Sequence, residues 1–372
     1  MYSMLSVRQL SNAMENATLI RIIGLIIVAI VVIGIIGFIS NKLTLRRRQC
    51  AGLSEIYKDF PKISSINFLD NRYQYTLKDY YIKTAYNACS IGDFKNNFVD
   101  VCALKDCIRQ GYRCLDFEIY SIDNEPVIAA SSVNSYNVKQ TYNSIPFGEV
   151  CKIIASHGFS GGTCPNPNDP LIIHLRIMSQ NTVIYKKMAE QIYDHLTNYV
   201  LGKQYSYENR GRNLGDVKLS NLKGKVIISV DRANPMYEGT DLEEYVNIAS
   251  NSIFMQALRF DEVKYAPDMQ ELIEYNKKQM SIVMPNLGVD DSNPSAALAM
   301  KYGCQMIGMC MQNYDTNLKF YDQTFNDAGC AFILKPDNLR YIPLTINVPN
   351  APPKAYSYAK RDISSDYYNF TI

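Results

Sequence analysis

The chain has 372 residues, enough for one large domain or two ordinary ones, and its hydrophobic fraction of 47% is normal for a protein with a sizeable core. Lysine and arginine number 38 against 36 acidic residues, so the formal net charge is only +2. The basic triplet at residues 46–48 is too short to form a basic surface, which excludes nucleic acid as a partner.

The first predicted element is a membrane span close to the N-terminus. Residues 1–18 are predicted to form a polar tail, and residues 22–39 are apolar and uncharged without a break. Eighteen such residues are long enough for a transmembrane helix, which we place at residues 19–40. No small-residue cleavage site precedes Asn41 and Lys42, so the segment is predicted to be an uncleaved anchor.

The charges that flank this span predict its orientation. Lys42 and the arginines of residues 46–48 outweigh Arg8 and Arg21 on the other side, so the large domain is expected on the cytosolic side of the membrane. Asn16 begins an Asn-Ala-Thr glycosylation acceptor that is usable only if the tail is lumenal. The ten cysteines fit free thiols, while disulfides remain open.

Beyond the span, residues 41–79 are predicted to be a stalk or docking segment, and strands then alternate with helices. The predicted strands are residues 80–85, 112–120, 126–130 and 171–176, followed after a polar linker at 204–217 by 224–230, 281–284, 304–310 and 331–334. The predicted helices are residues 100–110, 182–200, 241–247, 268–277, 294–301 and 315–325. Residues 347–372 are predicted to be an extended tail.

Eight strands that alternate with helices, four on each side of a linker, are the pattern of an α/β barrel of the TIM type. Pattern counting by itself leaves an open doubly wound sheet nearly as favoured.

Several segments carry a family resemblance. They are TAYNACSIGDF (84–94), GYRCLDFEIY (111–120) with NEPVI (124–128), DPLIIHLRIMSQNTVIYKKMAEQI (169–192), LKGKVII (222–228), DDSNPSAALAMKYGCQMIGMCMQNYD (290–315) and NDAGCAFILKPDNLR (326–340). In order and sequence they resemble the catalytic domain of phosphoinositide-specific phospholipases C. The resemblance implies a (β/α)8 barrel of the phosphodiesterase kind, built from an X-like half at 80–203 and a Y-like half at 218–346.

The resemblance also implies two catalytic histidines, and neither is present. The first falls on Tyr86, whose phenol is a poor general base near neutral pH, and the second falls on Ala130, which can transfer no proton. His174 is the one candidate for a relocated base. A hydrogen-bonded interior histidine is the favoured interpretation of this residue.

The implied calcium site is changed as well. Asn87, Asp116 and Glu118 fall on the positions of three ligands, but the fourth ligand, a Glu in the family, falls on Arg176. We expect Arg176 to bridge Asp116 and Glu118 in place of the ion, which leaves these four residues as a ligand-binding set without a metal. No cofactor is expected, and calcium would be required only if the site still functioned.

The expected contacts to lipid phosphates are also missing. The family's lysine pair falls on Ser229 and Asp231, and an Arg and a Tyr of the next strand fall on Ile282 and Met284. A headgroup that carries several phosphates would therefore lose most of its charged partners.

These observations predict a single-pass membrane protein whose phospholipase-C-like barrel has lost catalysis. The expected role is a scaffold or binding module for membrane lipids, including phosphoinositide headgroups, or for an unknown protein partner. Two alternatives stay open. One is an active phosphatidylinositol-specific phospholipase C with a rearranged site, and the other is a structural protein of a viral or organelle membrane.

Overall fold

The computed structural model describes residues 2–289, 292–343 and 359–372, with side chains from residue 19 onward. The chain divides into two compact units, Met1–Arg340 and Tyr341–Ile372. The strands are β1 Tyr80–Ala85, β2 Cys114–Ile122, β3 Glu125–Ala129, β4 Ile145–Pro146, β5 Leu171–Ile177, β6 Val226–Asp231, β7 Ile248–Ser250, β8 Met255–Arg259, β9 Met280–Met284, β10 Met306–Met309, β11 Phe332–Leu334, β12 Asp362–Ser364 and β13 Asn369–Thr371. The helices are α1 Tyr2–Ile56, α2 Val101–Arg109, α3 Phe147–His157, α4 Val183–Leu196, α5 Ser206–Gly211, α6 Phe260–Lys264, α7 Met269–Lys278, α8 Ala296–Lys301 and α9 Thr316–Ala328.

Eight parallel strands form a nearly closed barrel in the first unit. Hydrogen-bonded neighbours follow the order β7-β6-β5-β2-β1-β10-β9-β8, and every pair along this path is parallel. Two antiparallel additions lie beside the barrel, because β3 pairs with β2 and β4, and β11 pairs with β1. The predicted TIM-type α/β barrel is therefore confirmed.

The barrel strands have the composition of strands that are covered on both faces. β5 reads LIIHLRI, and all seven of its residues are buried. Side chains alternate along a strand, so His174 and Arg176 share one face, and they lie beside Asp116 and Glu118 of β2 in the parallel register. This shared inner face brings the polar residues of the two strands together.

The predicted number of barrel strands, eight, is right, but two of the segments predicted to be barrel strands lie outside the barrel. Residues 126–130 and 331–334 form β3 and β11, which are antiparallel strands outside the barrel. Their places in the barrel are taken by β7 and β8. The predicted helix at 241–247 is only a 3-10 turn, Glu243–Tyr245. β7 has three residues and four of the five residues of β8 are only half-buried, so neither contains the long apolar run that makes a strand recognisable.

α1 contains the apolar segment of the chain. Among the described residues, the helical stretch Leu19–Ile56 is long and apolar enough to cross a membrane, by length and composition. The apolar residues of its first part, residues 19–39, are exposed in the structure.

The end of α1 lies against α2 at the side of the barrel. Cys50 and Cys102 form a disulfide, and Arg46 pairs with Asp100, the N-cap residue of α2, at 2.5 Å. Farther on, the Tyr57 hydroxyl donates to the Met311 carbonyl at 2.8 Å. Residues 41–79, which the sequence left as a stalk or a docking segment, thus contact the barrel over their length. The disulfide uses two of the ten cysteines, for which the sequence favoured free thiols and left disulfides open. The other eight are buried thiols.

The remaining segments are short. Residues 204–217 connect β5 and α4 to β6 and include four consecutive non-glycine residues, Tyr207 to Arg210, with φ between 51° and 55°. In the second unit, β12 and β13 form an antiparallel hairpin. The part of the predicted tail at 347–358 lies outside the described residues.

Candidate active site

The polar residues of the barrel meet at the carboxyl ends of three neighbouring strands. Asn87 lies two residues after the end of β1, Asp116 and Glu118 lie on β2, and His174 and Arg176 lie on β5. In a parallel barrel these strand ends open at one rim, the mouth. The structure therefore brings together the four residues that the sequence analysis grouped as a ligand-binding set.

Arg176 lies at the centre of this group. Its Nε and Nη2 donate to the two carboxylate oxygens of Asp116 at 2.9 and 2.7 Å, and its Nη1 donates to Glu118 at 2.7 Å. Nη2 also donates to the amide oxygen of Asn87 at 2.9 Å. Four of the five guanidinium N–H groups are thereby used inside the protein, and the predicted bridging of the two acids by Arg176 is present.

Burial makes this network strongly coupled. All four side chains are buried, and Arg176 is only 4% exposed. Burial opposes ionisation of Asp116, but the adjacent Arg176 guanidinium and the hydrogen bond from His174 outweigh it and hold the pKa of Asp116 well below its usual range. An ion pair of this kind is weak evidence for stability as a whole, yet removal of one partner leaves an uncompensated buried charge.

A calcium ion does not fit this arrangement. Calcium takes six or more oxygen ligands, and the carboxylates that would supply them accept hydrogen bonds from a cation that lies within 3 Å of both. An ion between Asp116 and Glu118 would have to displace the guanidinium and would meet its positive charge. The residues present therefore do not fit a calcium ion at this position.

Tyr86 packs on the same arginine. The Arg176 guanidinium carbon lies 4.6 Å from the centre of its ring, Phe94 contacts the ring edge-on at 5.5 Å, and the phenol oxygen accepts from Arg259 at 3.3 Å. Gly308 makes room for it, because a Cβ there would lie 3.1 Å from the Tyr86 Cβ. Burial raises the pKa of Tyr86, so the phenol is an even poorer base than free tyrosine.

Ala130 lies directly after β3 with its methyl group fully buried. Its backbone N–H donates to Thr141 Oγ1 at 3.4 Å, and its carbonyl accepts from the N–H groups of Gln140 and Thr141. Its methyl side chain offers no titratable group at this position.

His174 lies one layer below the mouth with no exposed surface. Its Nδ1 is 2.7 Å from Asp116 and its Nε2 is 2.9 Å from the Ser250 hydroxyl. Both ring nitrogens are occupied by protein partners, an arrangement typical of an interior histidine that orients a carboxylate.

Three contributors to the site were missed from the sequence. Arg259 ends β8 and donates to Tyr86 and to the Pro285 carbonyl. Tyr120 donates to Glu118 at 2.8 Å. Ser250 ends β7 beside His174. The signal for Tyr120 was its spacing two residues after Glu118. Arg259 and Ser250 lie on the two strands that sequence patterning did not find.

The positions that the family uses for lipid phosphates carry no free cation. Ser229 and Ile282 are fully buried, and Met284 is buried at the end of β9. The carboxylate of Asp231 accepts from the Ala233 N–H and from the Asn251 amide. The cleft that contains Arg176 and Asp231 holds only about 80 Å³, well below the ~300 Å³ at which small-molecule sites begin.

Family models for phosphatidylinositol-specific phospholipase C match most of the chain. The X domain matches residues 73–232 and the Y domain matches residues 237–338. The chain is also similar to a solved structure, L. pealei PLC21, with a TM-score of 0.60 at 17% identity, over 72% of this chain and 38% of that one. The structural match supports the fold.

Curated relatives match a shorter stretch. The 1-phosphatidylinositol 4,5-bisphosphate phosphodiesterase delta-4 of Bos taurus is 33% identical over 111 residues, which are 29% of this chain and 14% of that protein. The beta-4 enzyme of Homo sapiens is 30% identical over 125 residues, 32% of this chain and 10% of that protein. The match thus covers only a small part of these relatives. The ordered X and Y matches confirm the resemblance seen in the sequence, and the chain belongs to the phosphatidylinositol-specific phospholipase C family.

Proposed function

We propose that this protein is a membrane-anchored member of its family that no longer hydrolyses phosphodiesters and acts as a scaffold or binding module. The observation that carries the proposal is the Arg176 network, in which the guanidinium uses both acidic side chains of the mouth.

The chemistry of the family supports this proposal. Cleavage of the headgroup needs a base, an acid and a cation that stabilises charge on the phosphorus centre. Tyr86 and Ala130 stand at the two proton-transfer positions. Arg176 provides a positive charge, but Asp116, Glu118 and Asn87 neutralise or occupy it, so little of it is available to a phosphate.

The family acts on phosphoinositide lipids, so membrane lipids with such headgroups are the first partner we propose. The narrow cleft favours contact at the rim over entry of an inositol ring. An unknown protein partner is the second possibility for the same surface, and binding of calcium is not part of the proposal.

The hydrolysis test uses the full chain reconstituted in vesicles that contain phosphatidylinositol or phosphatidylinositol 4,5-bisphosphate, with and without calcium. We expect no release of inositol phosphate. Release that disappears in His174→Ala but persists in His195→Ala, a variant on the outer helix α4, would establish the alternative of an active enzyme with a rearranged site. Equal melting temperatures of the two variants would separate lost chemistry from lost folding.

We propose further that α1 anchors the chain by a single span with the barrel on the cytosolic side. The basic flank at Lys42 and residues 46–48 supports this side. The Cys50–Cys102 disulfide instead favours the non-cytosolic side, because disulfides are rare in cytosolic proteins. Protease treatment of sealed microsomes decides: a digested barrel with Asn16 glycosylated agrees with the proposal, and a protected barrel reverses the orientation.

The third alternative, a structural role in a viral or organelle membrane, uses the same inactive barrel. The test is to measure the abundance of the chain in purified virions and organelle membranes. A major component there would support this alternative, and a scarce one would contradict it.

A further inference from the structure

The contacts of α1 define which end of the barrel points toward its apolar segment. Successive turns of α1 meet α2 in parallel: Arg46 pairs with Asp100, Cys50 is bonded to Cys102, and the Ser54 hydroxyl donates to Asp106. α2 starts at the mouth, because Asp100 follows the loop that leaves β1 at its carboxyl end. Moving along α1 from Ser54 toward its N-terminus therefore approaches the mouth.

One turn before Arg46, α1 reaches a loop that covers the mouth. We call residues 130–144, between β3 and β4, the mouth loop. Lys42 donates to the Tyr142 hydroxyl at 3.2 Å, and its ammonium lies 5.1 Å from the centre of the Tyr142 ring. The loop is held over the strand ends, since the Tyr136 hydroxyl donates to the Ala233 carbonyl and the Asn137 N–H donates to the Met178 carbonyl.

The distance from this loop to the membrane follows from the rise of an α-helix. The apolar segment ends at Ile39, three residues before Lys42, which is about 4.5 Å along the helix axis. Each headgroup layer of a bilayer is roughly 5 to 8 Å thick, from a hydrocarbon core of about 30 Å and a total of about 40 to 45 Å. Lys42 and Tyr142 thus lie at the depth of the headgroups when the segment spans the membrane.

The outer surface of the mouth loop suits that position. Seven of its residues are exposed, and four of them are large and apolar or aromatic, with exposures between 39% and 50%: Val133, Tyr136, Val138 and Tyr142. The other three are the polar residues Asn134, Ser135 and Asn137. Lys139 adds a positive charge in the same loop. Tyrosine rings with apolar and basic neighbours are the composition of surfaces that rest in the bilayer interface.

We propose that α1 is a rigid mount that holds the mouth loop in the headgroup layer of the bilayer that α1 itself spans. The proposal rests on the membrane anchor proposed above and adds a surface of the barrel that contacts lipid. The disulfide and the Arg46–Asp100 pair fix α1 to α2 and thereby hold that surface in place. The mouth opens toward lipid, so a ligand reaches it from the membrane plane.

The test places a fluorophore on the mouth loop of the full chain. Val138→Cys is labelled with NBD and reconstituted in phosphatidylcholine and phosphatidylserine vesicles that carry a spin-label quencher near the headgroup. The native thiols are buried or in the disulfide, so the introduced cysteine takes the label. Lys203→Cys is the matched control, because it follows α4 at the opposite end of the barrel and its side chain is 91% exposed.

We expect several-fold stronger quenching at position 138 than at position 203, and a clear loss of that difference when Cys50→Ser and Cys102→Ser are added. The same difference without the disulfide would overturn the rigid mount. A chain that floats with the vesicles but is quenched equally at both positions would overturn this inference alone. A chain that does not float with them would overturn the anchor and this inference together. Lipid hydrolysis does not enter the measurement.

Discussion

The Arg176 guanidinium donates two hydrogen bonds to the Asp116 carboxylate, at 2.9 and 2.7 Å, from the neighbouring strand of the barrel. The pair is held at the mouth of the barrel, and Arg176 also donates to a second acid, Glu118, at 2.7 Å. Arginine remains charged at any physiological pH and is part of the chain, so this positive charge cannot dissociate as a bound ion can.

Removal of the arginine is expected to be costly. Arg176→Ala leaves two buried carboxylates without their cation and should lower the free energy of unfolding by about 3 to 5 kcal/mol. Arg176→Lys keeps the charge but loses the forked geometry and should cost less. Denaturant unfolding of the full chain in detergent measures both. The control Arg72→Ala breaks an exposed ion pair and should change stability by about 1 kcal/mol or less. If Arg176→Ala left the free energy of unfolding unchanged, the pair would not be important for stability.

Restoring the acidic residue should restore metal binding. Arg176→Glu places a third carboxylate beside Asp116 and Glu118, so the variant should be unstable alone and gain thermal stability with calcium. The wild-type chain should show no calcium-dependent shift of its melting temperature. Magnesium, which requires a tighter octahedral geometry, is the matched control ion. A calcium-dependent shift in the wild type would show that the metal site survives.

The buried Lys335 should make the free energy of unfolding rise as the pH becomes alkaline. Burial lowers its pKa to about 7 although its ammonium donates to the Asn276 and Gly303 carbonyls. The unfolded chain binds this proton more tightly than the folded chain, so the destabilisation is complete below about pH 7 and disappears toward pH 10.5. Stability should therefore rise with pH in this window by up to about 1.4 kcal/mol per unit.

The matched variant is Lys335→Met, which fills similar space without the charge. Its stability at pH 7 should be equal to or above that of the wild type, and the rise between pH 7 and 10 should be smaller. An unchanged slope in this variant would assign the pH dependence to other groups.

The disulfide should contribute measurably to stability. Cys50 and Cys102 are 52 residues apart, and closure of such a loop typically stabilises a protein by about 2 to 4 kcal/mol. Reductant should lower the melting temperature of the wild type and leave that of the Cys50→Ser, Cys102→Ser double variant unchanged. Equal sensitivity of both proteins to reductant would contradict the pairing.

Much of the candidate site was predictable because strand periodicity is local. Two-residue spacing on buried strands placed Asp116 with Glu118 and His174 with Arg176, and the parallel register then made the pairing of the arginine with the acids a reasonable expectation. Arg259 and Ser250 escaped because β7 and β8 are short and partly polar, so nothing in the local pattern marks them as barrel strands.

The sequence by itself determined the family, the order of the X and Y halves and the apolar segment near the N-terminus, because each of these is written in residue identity and order. Only the tertiary structure decided that Tyr86 packs on Arg176, that both nitrogens of His174 have protein partners, and that Cys50 meets Cys102. Those contacts join residues 52 to 90 positions apart, and distances of that kind depend on how the barrel closes and where α1 docks, which no local pattern of side chains encodes.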